Sequence, residues 1–377
     1  MNPTRDSRIL VINVGSSSLK WSVTQLPAGI VLAKAEAAIG KGEVGPLVDS
    51  ISESGIDAIG HRVVHGGEQF RAATRIDETM LSALEALSPL APLHNPPALE
   101  GIRAARARWP GVPQVAVFDT AFHLEMPAHA STYAVPETWR AAGVRRYGFH
   151  GTSHKYVMEH VAATLGVAAS GLRIISCHLG NGASICAIEN GHSVDTSMGM
   201  TPLEGLVMGT RSGDIDPGIV AHVHRTLGLG IDEIEHALYH GSGLAGLSGL
   251  GKDAREIEAA AAKGVAQAQM ALEVYAYRVR KYIGAYAAAM GGVDVLAFTG
   301  GIGENSAAMR ARICVRLEFL GIRLDPQANE RLKLEGFELA AIHEESAATG
   351  VFVTQAREQW MIAQETARLL ETEKLHG

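Results

Sequence analysis

The sequence predicts an α/β protein made of two duplicated domains, one in each half of the chain. Its 377 residues exceed what one hydrophobic core usually holds, so about two domains are expected. Residues 9–14 and 19–23 are apolar runs around a glycine-serine turn, a pattern typical of two strands joined by a tight turn. Residues 172–179 and 183–188 repeat that pattern around a second glycine turn. The alternative is that these are two ordinary hairpins of an α/β protein without a duplication.

The charge balance argues against a polyanionic partner. The chain has 33 lysines and arginines against 40 aspartates and glutamates, a formal net charge of −7. Binding to nucleic acid or to an anionic membrane needs a basic surface, so neither partner is expected. Hydrophobic residues make up 47% and charged residues 19%, which excludes disordered, collagen-like and coiled-coil chains.

The remaining composition predicts a reduced, cytoplasmic protein. No apolar run approaches the roughly 18 residues of a membrane-spanning helix, and the polar N-terminus does not resemble a secretory signal. The three cysteines have neither a disulfide-framework spacing nor a zinc-site spacing. Glycine is enriched, with 42 residues in 377 against an average of about 7%. Several of these glycines lie between predicted elements.

Further elements complete the predicted first half. Residues 115–118 form a short apolar run that ends at Asp119, as a buried parallel strand would. The proline-rich segment 89–97 is expected to be neither helix nor central strand. We place the domain boundary at residues 148–151, just before a helix predicted over residues 153–165.

The predicted second half contains long helices and two further strands. Residues 257–290 have apolar side chains mostly three or four positions apart, which predicts one long amphipathic helix. A strand over residues 293–298 is followed by the glycine-rich turn TGGIGENS and by a helix that begins at Ala307. A short strand over residues 351–353 precedes a final helix over residues 357–374.

Three separated glycine-rich turns, at residues 15–18, 180–182 and 300–303, indicate a site for a nucleoside triphosphate. Each turn alone is equally consistent with a tight turn that needs positive φ. A Rossmann site is disfavoured because the glycine motif comes late in the chain, and the P-loop string GxxxxGK[ST] is absent. Convergence of three turns on one cleft is a more specific signal than any one of them.

Polar residues at the predicted strands suit a phosphate and a metal ion. Asn13 lies near the end of the first strand, where its side chain could hold a hydrated Mg²⁺ that takes few protein ligands. Lys20 lies on the next strand in an apolar context, where either a phosphate or solvent is its partner. Asp119 follows a strand, the usual place for a functional carboxylate in an α/β sheet, and a turn or helix N-cap role fits equally well.

Arginines and histidines in predicted loops are further candidate site residues. Arg62, in GHRVVHGG, and Arg211, in MGTRSGDIDPG, are suited to clamp carboxylate or phosphoryl oxygens, and the alternative is that they are simply solvated. His150 and His178 follow apolar residues at loop entries. The chain has 16 histidines but no HExxH motif, so a zinc enzyme is disfavoured.

Eight strings in this order resemble the acetate kinase family: INVGSSSLKW, GHRVVHGG, LAPLHNP, VFDTAFH, RRYGFHGTSH, CHLGNGAS, DTSMGMTPLEGLVMGTRSGDIDPG and FTGGIGENS. The resemblance covers essentially the whole chain. It implies two duplicated ribonuclease-H-like (actin-like ATPase) domains with an interdomain active-site cleft. The implied domains are residues 1–150, on the acid-binding side, and residues 151–377, which bind the nucleotide, with the C-terminal helix packed back on the first domain.

The resemblance also implies roles for individual residues. The implied catalytic residues are Asp119, His150 and Arg211, of which the last two stabilise the transferring phosphoryl group. Arg62 is implied to bind the substrate carboxylate, and the pocket for the methyl group is implied to consist of Val64, Leu93, Phe149 and Pro202. The implied ATP contacts are Lys20, His178, Leu179, Gly180, Asn181, Gly182, Asp253, Ala254, Arg255, Gly301, Ile302, Gly303, Glu304 and Asn305. The implied metal ligands are Asn13 and Glu358, the latter followed by Gln359 where the family more often has a second acid.

The implied reaction is reversible, Mg²⁺-dependent transfer of the γ-phosphoryl group of ATP to acetate by direct in-line transfer, giving acetyl phosphate and ADP. Mn²⁺ is implied as a substitute metal, and a propionate or butyrate kinase of the same family is the alternative. The resemblance further implies a cytoplasmic homodimer that binds acetate and ATP. A chaperone or filament protein on the same fold is disfavoured, because 377 residues leave little room beyond the two ATPase lobes.

The chemistry of a carboxylate acceptor sets what this site needs. Its pKa is about 4, so it is ionised at pH 7 and needs no general base. The site must instead supply positive charge to bring two anions together. We therefore expect Asp119 to position the metal or an arginine rather than to abstract a proton. We also expect acetate to be preferred over butyrate by roughly 10-fold or more, whereas propionate is not excluded.

Overall fold

The computed structural model describes residues 6–15, 18–40, 43–336 and 338–376, which divide into two compact units. The first unit holds the described residues of segments 1–124, 149–156 and 357–377, and the second holds 125–148 and 157–356. A single cut at residue 150 therefore does not describe the compact units, because the chain passes between them after residues 124, 148, 156 and 356. Among the described residues, no helix is long and apolar enough to cross a membrane.

Each unit is built around one six-stranded mixed sheet. The first sheet contains β1 Ser7–Val14, β2 Ser18–Leu26, β3 Ile30–Ala38, β4 Ala58–Val63, β5 Thr74–Arg75 and β6 Gln114–Phe118. The second contains β7 Arg173–Leu179, β8 Ala183–Glu189, β9 His192–Thr196, β10 Val295–Thr299, β11 Leu339–Ala341 and β12 Gly350–Thr354. Every strand that the sequence predicts is present and begins within two residues of its predicted start.

Helices connect the strands and cover the sheets. They are α1 Val44–Asp49, α2 Glu78–Ala86, α3 Asn95–Arg108, α4 Ala128–Ser131, α5 Glu137–Ala141, α6 Gly151–Leu165, α7 Gly218–Leu227, α8 Ile231–His240, α9 Gly243–Ser248, α10 Ala254–Ala262, α11 Ala266–Ala289, α12 Gly300–Asn305, α13 Ala307–Cys314, α14 Pro326–Arg331 and α15 Glu358–His376. Short 3₁₀ helices occupy Ser88–Leu90, Ala121–His123, Ala169–Gly171 and Glu318–Leu320.

The two sheets share one strand order. The first reads β3-β2-β1-β4-β6-β5, in which β1 to β3 form an antiparallel meander and β4 and β6 run parallel to β1. The second reads β11-β12-β10-β7-β8-β9, in which β7 to β9 form the meander and β10 and β12 run parallel to β7. Each sheet adds one antiparallel edge strand, β5 or β11. This repeated order is that of ribonuclease-H-like domains and confirms the predicted duplication.

Helices cover both faces of the first sheet. Alternate residues of β1 point to opposite faces, so each face presents apolar side chains to be covered. One face packs against α15, with a cluster that includes Ile9, Val11, Ile362 and Ala363. The other packs against α1 and α3, with a cluster that includes Leu10, Ile12, Val48 and Ala105. At Gly60 of β4, a Cβ atom would lie 2.4 Å from the Oγ1 atom of Thr366, so glycine is needed for α15 to lie this close.

The proline-rich segment 89–97 is partly helical, which corrects the sequence-based expectation. Pro96 and Pro97 lie in the first turn of α3. The N–H groups of a first turn have no intrahelical acceptor, so proline loses no hydrogen bond there, and its fixed φ suits the helix.

The prediction of a single helix over residues 257–290 is wrong, because two helices, α10 and α11, occupy this region. They are separated at residues 263–265, where Gly264 has a φ of +86°. A residue with a side chain rarely adopts this left-handed conformation, whereas glycine does so without steric cost. Ile257 and Leu272 are buried on either side of the break, so the apolar spacing continues across it and does not reveal it.

The segment TGGIGENS contains the short helix α12 where the sequence predicts a turn. The strand β10 ends at Thr299, and the helix begins directly at Gly300 with a φ of +79°. A Cβ atom at this position would lie 2.7 Å from the carbonyl oxygen of Leu179 in β7. Glycine therefore serves a strand-to-helix reversal that is packed against the neighbouring strand.

His61 of β4 gives a first testable prediction, on the pH dependence of stability. Its side chain is 2% exposed, and its Nε2 atom lies 2.8 Å from the Oε1 atom of Gln114. Burial lowers the pKa of His61 from 6.5 to about 4. Because the unfolded chain takes up this proton at a higher pH than the folded chain, the free energy of unfolding should fall as the pH falls from 6.5 to 4. His61 should contribute about 3 kcal/mol of that fall.

Urea unfolding at a series of pH values checks this expectation. His61→Asn should show a shallower loss of stability below pH 6.5 than the native chain, whereas the exposed His129→Asn should not. Identical pH dependence of the native chain and His61→Asn would contradict the assignment.

Candidate active site

The first sheet brings Asn13, Arg62 and Asp119 together at the carboxyl ends of its parallel strands. Asn13 of β1 is the register partner of Arg62 on β4, and Asp119 follows directly after β6. The backbone N–H of Asp119 donates to the carbonyl of Val63, 3.0 Å away, which continues the β4–β6 ladder. This edge is where ligands bind in open α/β sheets, so the topology makes it a candidate site.

Arg62 and Asp119 form a two-armed ion pair. The Nη2 atom of Arg62 lies 2.5 Å from Oδ2 of Asp119, and Nε lies 3.0 Å from Oδ1. The side chain of Asp119 is 1% exposed and that of Arg62 is 16% exposed. Burial by itself lowers the pKa of Arg62, but the negative charges of Asp119 and Glu358 outweigh it and raise the pKa. Arg62 is therefore a fixed cation in a fixed orientation.

Asn13 and Glu358 supply oxygen atoms beside Arg62. The Oδ1 atom of Asn13 accepts a hydrogen bond from Nη1 of Arg62 at 3.2 Å. Glu358 is the first residue of α15, and its Oε1 atom is buried without a hydrogen-bond partner among the described residues. A buried carboxylate oxygen in this position is costly unless something binds it. The donor set of few, hard oxygens fits Mg²⁺, which keeps several waters and uses one or two carboxylates.

His150 is connected to this cluster by a backbone hydrogen bond of the next residue, Gly151. The N–H of Gly151 donates to the carbonyl oxygen of Asp119 at 2.8 Å, and a Cβ atom at Gly151 would lie 2.2 Å from that oxygen. His150 itself has a φ of +56°, a left-handed conformation that is uncommon for a residue with a side chain. Such conformations cost energy and persist where the surroundings impose them, which is frequent at functional sites.

The predicted pocket residues differ in burial. Val64 and Phe149 of the first unit are buried, with 4% and 2% exposure, whereas Leu93 is 52% exposed. The carbonyl oxygen of Phe149 lies 3.0 Å from Nε2 of the buried His123. Pro202 belongs to the second unit, where its carbonyl accepts a hydrogen bond from Nη1 of Arg211 at 3.2 Å.

The side chain of Lys20 forms an ion pair within the first sheet, where Lys20 is the register partner of Asn13. It lies on β2 opposite Glu36 of the edge strand β3, and the two side chains form an ion pair of 3.3 Å. Both side chains are about half exposed, so this pair contributes little to stability. Ser16 and Ser17, in the first glycine-rich turn, lie outside the described residues.

The second sheet assembles the predicted nucleotide segments at its own carboxyl edge. Thr299 at the end of β10 is the register partner of His178 near the end of β7. The turn Gly180–Gly182 closes with a hydrogen bond of 3.1 Å from the N–H of Gly180 to the carbonyl of Gly182. Two of the three glycine-rich segments therefore lie side by side in this unit, and the convergence of the third with them stays a prediction.

Two further residues stabilise the second unit and were not identified from the sequence. Arg310 is 2% exposed and donates to the carbonyls of Gly303 and Glu304, at 2.8 and 2.9 Å, so that it binds the C-terminal end of α12. Arg146 donates to the carbonyl of Ser197 at 3.3 Å and pairs with Glu204 at 2.7 Å. Arg146 holds segments more than fifty positions away in sequence. Arg310 joins the end of α12 to α14, because it also donates to the carbonyl of Asn329 at 2.9 Å.

The segment Asp253–Arg255, which is predicted to contact ATP, lies at the start of helix α10. Asp253 is the N-cap of α10, and its Oδ1 atom accepts from the backbone N–H of Arg255 at 2.9 Å. The side chain of Arg255, which is 87% exposed, pairs with Asp253 at 2.7 Å. This hydrogen bonding lowers the pKa of Asp253 to about 2. Arg255 is thus presented to solvent at an ordered position.

Arg211 is held by its own unit in a partly buried position. Besides the carbonyl of Pro202, its Nη1 atom contacts the Sδ atom of Met208 at 3.7 Å, and its guanidinium lies 5.9 Å from the ring of Tyr239. These contacts are the kind that fix a planar cation without consuming its charge.

The fold and the two carboxyl-edge clusters define a class, the duplicated actin-like ATPases. Within that class, a fixed cation beside hard oxygen donors at one edge and glycine-rich segments at the other are the features of a phosphotransferase.

Comparison with known proteins identifies the family within this class. The chain belongs to the acetokinase family, whose model matches residues 46–364. It is 46% identical to the acetate kinase of Halothermothrix orenii over 401 residues, covering 97% of this chain and 100% of that protein. A crystal structure of Porphyromonas gingivalis acetate kinase has a TM-score of 0.90 and 42% identity, covering 97% of this chain and 100% of the other. The structure of a propionate kinase from Francisella tularensis has a TM-score of 0.88 and 40% identity, covering 96% and 99%.

These matches confirm the predicted family and the prediction of a phosphotransferase with a carboxyl group as acceptor. The family also uses ATP and ADP, which agrees with the glycine-rich segments of the second sheet.

Proposed function

We propose that the chain phosphorylates acetate, transferring the γ-phosphoryl group of ATP directly to a carboxylate oxygen and forming acetyl phosphate and ADP reversibly. The observation that carries this proposal is the extensive similarity to acetate kinases along nearly the whole chain. The Arg62 cluster supports it independently, because the cluster already holds a carboxylate, that of Asp119, in a two-armed contact.

The proposed chemistry needs charge rather than a base. An acetate ion is deprotonated at neutral pH, so its approach to a phosphate is opposed by repulsion between anions. Arg62 supplies a permanent positive charge for the acid, and Arg211 and His150 supply donors for the phosphoryl group in our assignment. Asp119 orients Arg62 through both of its carboxylate oxygens, which is a positioning role.

Mg²⁺ is the metal that we assign to this reaction, with Asn13 and Glu358 as its protein ligands. The buried, unpartnered Oε1 atom of Glu358 supports this assignment. When bound, the metal would neutralise the polyphosphate charge and orient the phosphates. The negative charge of Glu358, which also acts on Arg62, would offset part of the repulsion between Arg62 and the metal cation.

We assign nucleotide binding to residues 178–182 and 301–305 and to the segment Asp253–Arg255, and we retain Lys20 as a phosphate contact. Backbone N–H groups of the glycine-rich segments suit phosphate oxygens. Lys20 would have to exchange Glu36 for a phosphate, which costs little because the pair is exposed.

We propose acetate as the preferred acid, with the buried side chains of Val64 and Phe149 as apolar contacts of its methyl group. A site that admits a methyl group loses about 1–3 kcal/mol per added methylene, so butyrate should be used at least roughly 10-fold less well. Propionate is the second candidate substrate, because the Francisella tularensis protein named a propionate kinase has nearly the same fold similarity.

We further propose a cytoplasmic homodimer in which a second copy covers helix α7. No residue of α7 is buried, although Ile219 and Leu227 are apolar and 42% and 68% exposed. Ile231, at the start of α8, is 67% exposed beside them in sequence. An amphipathic helix of ten residues gains most of its stability from tertiary packing, so an uncovered one indicates a partner.

Light scattering checks the homodimer. The expected mass is about twice 39.9 kDa for the native chain, and Leu227→Glu should lower it towards one copy. A native chain of a single copy's mass would contradict the proposal.

Trapping of the product with hydroxylamine tests the proposed reaction. Purified protein with Mg-ATP is incubated with acetate, propionate, butyrate or glucose, and acyl hydroxamate is measured. We expect hydroxamate from acetate, none without Mg²⁺, and about tenfold less from butyrate. Hydrolysis of ATP without any hydroxamate would refute the kinase assignment, and a stronger signal from propionate would replace acetate as the substrate.

A further inference from the structure

We propose that Glu304 is a positioning residue that joins the nucleotide segment α12 to the chain that enters α15, rather than a direct contact of ATP. This inference rests on the proposed function, in which residues 301–305 bind the nucleotide and Glu358 is a metal ligand. Within the nucleotide segment 301–305, it gives Glu304 a supporting role, whereas the family resemblance implies that Glu304 contacts ATP directly.

One carboxylate oxygen of Glu304 makes two backbone contacts. Its Oε1 atom accepts a hydrogen bond from the N–H of Gly300, 3.0 Å away, and another from the N–H of Ala356, 2.7 Å away. Hydrogen bonds to an ionised acceptor are short and stronger than neutral ones. Gly300 is the first residue of α12, and Ala356 follows β12, so the oxygen bridges two segments that are more than fifty positions apart in sequence.

Without this contact, the start of helix α12 has no side-chain cap. Its six residues include Gly300, Gly301 and Gly303, and glycine is among the poorest helix formers. Its N-cap, Thr299, makes no capping hydrogen bond, and the Oγ1 atom of Thr299 is buried without a partner among the described residues. Glu304 therefore replaces the missing cap from within the helix, while Arg310 binds its other end.

The second contact of Glu304, with Ala356, lies close in sequence to the proposed metal ligand. Ala356 is two positions before Glu358, the first residue of α15 and the proposed Mg²⁺ ligand. Holding the N–H of Ala356 fixes the point from which the chain starts towards Glu358. A carboxylate would also repel the polyphosphate of ATP, which is a physical reason for Glu304 to face its own backbone.

Steady-state kinetics of three variants test the proposal. Glu304→Ala should raise KM for Mg-ATP and the Mg²⁺ concentration for half-maximal rate by roughly tenfold each, with KM for acetate within twofold of native. Glu304→Gln keeps a carbonyl oxygen for both N–H groups and should restore most of this loss. The matched control is Asp325→Ala, since one oxygen of Asp325 likewise accepts two backbone N–H groups, at 2.8 and 3.1 Å, at the start of α14.

A second readout does not depend on activity. Amide hydrogen exchange at residues 300–305 and at Ala356 should become faster in Glu304→Ala, both with and without ADP, and should stay slow in Asp325→Ala. Unchanged exchange in Glu304→Ala would overturn the positioning role. The role is also overturned if Asp325→Ala raises KM for Mg-ATP and the Mg²⁺ concentration for half-maximal rate as much as Glu304→Ala does. If Glu304→Gln is as impaired as Glu304→Ala, the negative charge itself is needed and the role is also overturned. A native chain without kinase activity would refute the proposed function, and the exchange data would still decide the role of Glu304.

Discussion

Arg62→Ala should lower kcat/KM for acetate by about 10³-fold or more, equivalent to about 4 kcal/mol of transition-state stabilisation. The reason is twofold. The variant removes the cation that we assign to the acid, and it removes the two-armed contact from the carboxylate of Asp119, which is 1% exposed. The measurement is the initial rate of acetyl phosphate formation over a range of acetate concentrations.

Two further variants separate catalysis from stability. Arg62→Lys keeps the charge but loses the two-armed geometry, so it should recover little of the activity. Arg173→Ala is the matched control, because Arg173 forms the same two-armed contact with Asp294, at 3.1 and 2.7 Å, in the second unit. Activity of Arg62→Ala within tenfold of native, with an unchanged KM for acetate, would contradict the assigned role.

Asp119→Asn should lower kcat by roughly 10²-fold, and by the same factor at every pH from 6 to 9. The amide accepts one arm of Arg62 but presents an N–H group to the other, so the guanidinium moves from its orientation. Since acetate needs no general base, no pH-dependent step is lost. We also expect a weaker dependence of the rate on Mg²⁺, because Asn13, Arg62 and Glu358 belong to the same cluster.

The pH–rate profile distinguishes this account from acid–base catalysis. If Asp119 transferred a proton, the native profile would show an acidic limb that Asp119→Asn lacks. Asp294→Asn, which weakens the matched pair with Arg173, should leave both kcat and the profile unchanged. An acidic limb that disappears in Asp119→Asn alone would show that the residue is a proton donor or acceptor.

Much of the fold could be predicted from the sequence because strands leave a local signal. The apolar run that ends at Asp119 is a parallel strand, and the repeated hairpins are the first two strands of two sheets with one order. The carboxyl-edge positions of Arg62 and Asp119 follow from that order. Their direct pairing does not, because it depends on the register of β4 against β6.

The errors have identifiable physical causes. Pro96 and Pro97 look like helix breakers, yet the first turn of α3 tolerates them. Gly264 breaks a predicted helix through its φ, which apolar periodicity does not record. The contacts of Arg146 and Glu304 join segments more than fifty positions apart, and a single sequence holds no spacing that would reveal them.

Transfer of an oxygen isotope tests the central claim most directly. The protein is incubated with Mg-ATP and acetate labelled with ¹⁸O at both oxygens, and hydroxylamine is added to cleave any acetyl phosphate at the carbonyl carbon. If a carboxylate oxygen attacks the γ-phosphorus, the released phosphate carries one ¹⁸O atom, which ³¹P NMR resolves, and Arg62→Ala gives almost none. Phosphate without ¹⁸O would mean that water, not acetate, receives the phosphoryl group, and would contradict the account.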